Sequence, residues 1–165
     1  MSRKAEVTQL HPNQVNKRLE DAKNIAVVEY SAEEAIAVWE NIEPYLALTL
    51  EYSTGRYNIE NVKDSIASGR VWVFVVYSRD TKSVYSVIAA EGFKFPQRKV
   101  FSVVLCGGED VMKWGQLAWE KLCDVAIERG YNQIEVVGRR GWGRFLAGAK
   151  EIGTTYAMDL KQEED

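Results

Sequence analysis

Two stretches of this chain bring together residue types that can do chemistry. The first is Cys106-Gly107-Gly108-Glu109-Asp110, which follows the apolar run from Val100 to Leu105 and precedes a helical pattern starting at Val111. Glycines between a strand and a helix let an anion approach the main chain, and the free N–H groups at a helix N-terminus attract phosphate. The acidic pair acts in the other direction. It stabilises the helix start by about 0.3–1 kcal/mol per residue and repels an incoming pyrophosphate. Two readings stand side by side: an anion cradle, and a glycine turn with acidic capping. The second stretch is Gly138-Arg139-Arg140-Gly141-Trp142-Gly143-Arg144-Phe145. Guanidinium pairs with phosphate and stacks on indole, so Arg139, Arg140 and Trp142 suit an anionic or planar ligand, or a partner. Equally, Trp142 plugs the end of the domain while the arginines pair with Glu109 and Asp110.

Other chemistry is sparse. Cys106 and Cys123 are the two cysteines and His11 the one histidine, which makes no recognisable zinc site, and buried free thiols are expected. The chain has 165 residues, 46% hydrophobic and 27% charged, as expected of one globular domain. With 21 basic and 24 acidic side chains, and a net charge of −3, it offers no global basic surface, so nucleic acid is not an expected partner. No apolar stretch reaches the roughly 20 residues that span a bilayer. The polar start lacks the apolar core of a secretory signal, and a cytoplasmic protein is expected.

The elements that must position these residues follow from periodicity. Residues 1–24 read as a polar arm with a short helix from Pro12 to Lys23, and residues 25–165 as one domain. Ile25–Tyr30 suits a buried strand. Ser31 starts a helix carrying Ile36, Trp39, Ile42 and Leu46, with a kink or restart expected at Pro44. Asn58 caps a further helix that Gly69 closes. Val71–Tyr77, Val84–Phe95 and Val100–Cys106, joined by short turns, predict an antiparallel meander. Val111, Trp114, Leu117, Ala118, Leu122, Val125 and Ala126 form one apolar helical stripe. A fifth strand (Gln133–Val137), a short helix (Trp142–Ala149) and a last strand (Thr154–Leu160) complete the expectation.

This order resembles the GNAT N-acetyltransferase fold over residues 25 to 160: an α/β domain with a mixed, mainly antiparallel central sheet flanked by helices. The resemblance implies an acyl-CoA site, with acetyl-CoA as cofactor, at Leu105, Cys106, Gly107, Gly108 and Val111, and no metal. It also implies a general base and an acid, for which Glu91 on the third strand and Tyr156 are the candidates. Glu51, Tyr52, Gly55, Arg56 and Tyr57, with Cys106–Gly108 and Gly138, Arg139, Gly141 and Trp142, are similar to small GNAT-like proteins of tailed bacteriophages, including internal virion proteins. Two functions follow. One is a phage-encoded acyl-CoA-dependent N-acetyltransferase with a degenerate cofactor loop. The other is a non-catalytic virion or host-interaction protein that keeps the fold, located in the host cytoplasm or the virion.

Overall fold

The computed structural model describes residues 23–53, 55–138 and 140–161. The expected N-terminal arm and its helix fall almost wholly outside these. Five strands form one sheet in the order β1-β2-β3-β4-β5: β1 (Ile25–Tyr30), β2 (Val71–Ser78), β3 (Val84–Lys94), β4 (Lys99–Gly108) and β5 (Gln133–Val136). The β2–β3–β4 meander is antiparallel as predicted. β1 joins it antiparallel to β2, and β5 lies parallel to β4.

The helices cover both faces of the sheet. One face carries α1 (Ala32–Ala37), α2 (Trp39–Leu50) and α3 (Ile59–Ala67), which pack Trp39, Ile42, Leu46, Val62 and Ile66 against Val71, Val73, Val75, Val87 and Leu105. The other carries α4 (Val111–Glu128), whose stripe Trp114, Ala118, Leu122, Val125 and Ala126 meets Phe74, Ile88, Phe101 and Val103. Burial on both faces explains why β2 reads as an unbroken apolar run, and each fully buried Val or Phe contributes about 1.5–3 kcal/mol. The GNAT-like α/β architecture is therefore present.

Three expectations are corrected. The helix after Ser31 breaks at Val38, not Pro44, which sits inside α2. The break falls six residues before the proline, beyond its ring clash with the Glu40 carbonyl; there the Val38 N–H closes α1 on Glu34 O and Ile36 O, and Val38 O accepts from Asn41 N to open α2. The predicted helix Trp142–Ala149 is instead a 3-10 turn, Arg140–Arg144. The predicted strand Thr154–Leu160 is irregular, exposed chain, and among the described residues no strand pairs with it to complete a ladder.

Candidate functional site

The strands β4 and β5 run together only as far as Val103 and Val136. On its other side β4 stays paired with β3 to its end, where Ser86 faces Gly108. The register shift between Ala89 and Ala90 places Val103 and Leu105 opposite consecutive β3 residues, leaving Val104 as a bulge. A bulge bends and twists its strand. β4 thus loses its β5 partner at the bulge, and Val104–Gly108 forms one wall of a gap.

That gap is filled from within the chain. Trp142, Phe145 and Leu146 line it together with Val103, Cys106, Val111, Trp114, Gly115 and Val136, leaving an apolar cavity of ≈ 20 Å³. A Cβ at Gly115 would stand 3.3 Å from Phe145 Cγ, so glycine there admits the ring. Trp119 Nε1 donates to Ala147 O at 3.0 Å and pins the segment to α4. The Trp142 indole is half-buried against these residues. Sequence reasoning missed Phe145 and Leu146, although their spacing of three and four from Trp142 marks one helical face.

The glycines do not form a turn. Gly107 and Gly108 are the last residues of β4, paired with Val87 and Ser86. A Cβ on Gly107 would overlap the Tyr45 carbonyl oxygen and stand 2.6 Å from Thr49 Cγ2, and one on Gly108 would overlap the Tyr85 carbonyl oxygen. They are small so that α2 and β3 can approach. Ser86 Oγ donates to Gly107 O at 2.8 Å. The turn itself is Glu109-Asp110. Glu109 N donates to Tyr85 O (3.0 Å) and Glu109 O accepts from Trp114 Nε1 (2.6 Å). Asp110 occupies the N-cap position of α4 in a left-handed conformation, φ 56°, and makes no side-chain cap bond. Acidic capping is therefore corrected: the first turn of α4 keeps N–H groups without a side-chain acceptor.

Cys106 lies in the wall of the cavity. Burial pushes its thiol up to about 12, with the Ser86 hydroxyl pulling the other way, so it is neutral at pH 7 and is not a nucleophile. Glu91 projects to the α3 face beside Val71, opposite the α4 layer that the cavity adjoins. Its carboxylate is 13% exposed and 3.5 Å from Arg70 Nε, while Arg70 Nη2 donates to Ser65 Oγ at 2.5 Å. Tyr156 is 92% exposed on the C-terminal segment. Arg139 and the side chain of Arg140 lie outside the described residues, as does their expected pairing with the acidic turn. Among the described residues no three His, Cys, Asp or Glu converge as a metal site, and no helix is long and apolar enough to cross a membrane.

The same fold occurs in solved acetyltransferases. An aminoglycoside acetyltransferase from an uncultured soil metagenomic sample, solved in complex with sisomicin, is 10% identical with a TM-score of 0.63, over 84% of this chain and 98% of that one. A probable acetyltransferase gives 0.60 at 7% identity, covering 84% and 99%. An acetyltransferase of Trypanosoma brucei gives 0.55 at 13%, covering 83% and 100%. At these identities the likeness is one of fold. No protein-family model and no curated protein matches the sequence.

Proposed function

We propose that the chain is an acyl-CoA-dependent N-acyltransferase whose cofactor enters where β4 and β5 separate. The observation that carries this reading is the end of β4–β5 pairing at Val103 and Val136, next to a helix whose first turn lacks a side-chain cap. Backbone groups of β4 released from β5 can hydrogen-bond an amide-bearing chain as a strand would, and the N–H groups of α4 can take a pyrophosphate. Leu105, Cys106 and Gly107 would supply the strand edge, with Gly108 and Val111 flanking the helix start. Acyl-CoA would supply an activated thioester, its acyl group passing to an amine as the C–N bond forms and the C–S bond breaks, with CoA leaving as a thiolate that takes up the proton lost by the amine.

The chain's own residues set three conditions. Trp142, Phe145 and Leu146 must swing out before anything enters the gap. Glu109 and Asp110 weaken pyrophosphate binding by like-charge repulsion. Glu91 acts as base only if the acceptor amine is presented from the α3 face and the carboxylate leaves Arg70, and Tyr156 acts as acid only if its segment folds onto the body. Calorimetric titration of acetyl-CoA into the full chain and into Trp142→Ala/Phe145→Ala tests this. We expect weak binding to the native chain and at least tenfold tighter binding to the opened variant (about 1.4 kcal/mol). No heat from either at millimolar ligand sinks the reading.

The filled gap favours one other reading, a non-catalytic protein of this fold that acts in a phage virion or against a host protein. The motif likeness to phage proteins supports it. Mass spectrometry of purified particles, with affinity capture from host lysate, is its test; absence from particles together with no captured partner removes its support.

A further inference from the structure

Lys94, Arg98 and Lys99 crowd the tip of the β3–β4 hairpin, where three of six consecutive residues are basic and none is acidic. Phe95 and Arg98 exchange backbone hydrogen bonds across the Pro96-Gln97 turn, at 2.7 and 3.3 Å. The next cross-strand pair is Lys94 and Lys99. A pair adjoining a hydrogen-bonded one sets its side chains closer together, and like charges directly opposite each other destabilise the pairing. No carboxylate relieves them: the ion pairs among the described residues are Arg70–Glu91 and Arg129–Glu29. Lys99 Nζ stands instead 5.3 Å from the centroid of the Tyr131 ring.

The same tip carries an exposed aromatic. Phe95 is 56% exposed, and its ring stacks on Phe93 with centroids 6.3 Å apart and planes 29° from parallel. The base of the hairpin is fixed to the body. Lys99 N donates to Asn132 Oδ1 and Lys99 O accepts from Asn132 N, both at 3.0 Å, and the next residue, Val100, is buried. Cations and ring are therefore held in place before any ligand arrives. They lie at the start of β4, the end remote from the β4–β5 gap.

We propose that this tip binds single-stranded nucleic acid through the phosphates and base faces that DNA and RNA share. Lys94, Arg98 and Lys99 take phosphates, and an unpaired base stacks on Phe95. Phosphate relieves the repulsion between the facing lysines, and the exposed ring adds a flat apolar face that a base can cover. An acidic peptide would use the cations and leave Phe95 without a role. A bilayer surface would need a broader apolar face than one ring. The net charge of −3 excludes a global basic surface but not this local one, since the hairpin tip holds no acidic residue. The proposal holds whether or not acyl-CoA binds.

Fluorescence anisotropy of a short labelled oligo-dT, titrated with the full chain over a range of salt, is the test. We expect a Kd on the order of micromolar at low salt, with log affinity falling against log salt at a slope of about −2, as three phosphate contacts on a single strand give. Phe95→Ala should weaken binding roughly tenfold and leave the slope unchanged. Lys94→Gln/Arg98→Gln should reduce the slope to about −0.7. All three side chains are exposed, so the fold should survive their replacement. No binding at low salt overturns the proposal, and so does undiminished affinity in Phe95→Ala or an unchanged slope in the double variant. Polyglutamate competing as well as unlabelled oligo-dT would mark a peptide site and overturn it. Co-sedimentation with phosphatidylserine vesicles that oligo-dT fails to displace would assign the tip to a membrane and overturn it too. Should a variant misfold by circular dichroism, the slope and the competition measured on the native chain decide alone.

Discussion

The space beside Gly107 that a side chain would need is taken by the backbone of α2. Gly107→Ala must push Tyr45 away, and overpacking against main chain costs about 1–3 kcal/mol. Gly141→Ala is its control, because nothing lies within 4 Å of a Cβ there, and a change of at most about 0.5 kcal/mol is expected. Urea unfolding of the two variants checks both numbers; equal losses would show that Gly107 is not a packing residue. Cys106 gives a second prediction at this scale. Its raised pKa means the folded state favours the neutral thiol. That contribution is complete below pH 9.0, the value of an unburied thiol, and is lost as pH climbs toward about 12. Cys106→Ala should therefore flatten part of the alkaline fall in thermal midpoint. A fall as steep as in the wild type would show that Cys106 does not contribute to it.

Helix boundaries in this chain are set by a few side chains, and α3 shows it most directly. Asn58 Oδ1 accepts from Asn61 N at 2.8 Å while Asn61 Oδ1 accepts from Asn58 N at 3.3 Å, a reciprocal capping box. Asn58→Ala should cost about 1 kcal/mol and Asn58→Ser much less, read by the shift in urea midpoint; equal losses would deny the cap a role. This element was legible beforehand because a capping residue, an apolar face and Gly69 all lie within a few positions of one another. The strands from β1 to β4 were legible for the same local reason. What failed depended on distant neighbours. A glycine's identity does not say whether the space beside it serves a phosphate or, as at Gly107, a packed helix. An aspartate before a helix caps it only if the backbone is extended, and Asp110 is left-handed. The residues 152–160 show the period of a strand, but a period cannot name the strand's partner. In the candidate site, Cys106 and Val111, expected beside a cofactor, line the small apolar cavity under α4. The plug was half seen, through Trp142 without Phe145 and Leu146.

Besides its two apolar layers, the molecule is tied by charge where α4, β1 and β2 meet. Arg129, at the C-terminal cap of α4, forms an ion pair with Glu29 on β1, and its guanidinium lies 4.7 Å from the centroid of Trp72 on β2. Trp72 in turn stacks on Phe101 of β4 at 5.4 Å, so the cation sits on an aromatic column that crosses the sheet. A positive charge here also complements the negative end of the helix dipole. Both ionic side chains are 31% exposed, so water screens the pair and its contribution falls well below that of a fully buried one. Arg129→Ala should cost about 1–2 kcal/mol, combining the lost pair with the lost stacking. Arg129→Lys keeps the charge but not the planar face, and should recover less than half of that loss. A double-mutant cycle with Glu29→Gln isolates the ionic part, expected at about 0.5–1 kcal/mol and smaller at high salt. If lysine restores full stability and the cycle shows no coupling, Arg129 is not the fastening, and the apolar stripe of α4 alone holds the helix to the edge strand.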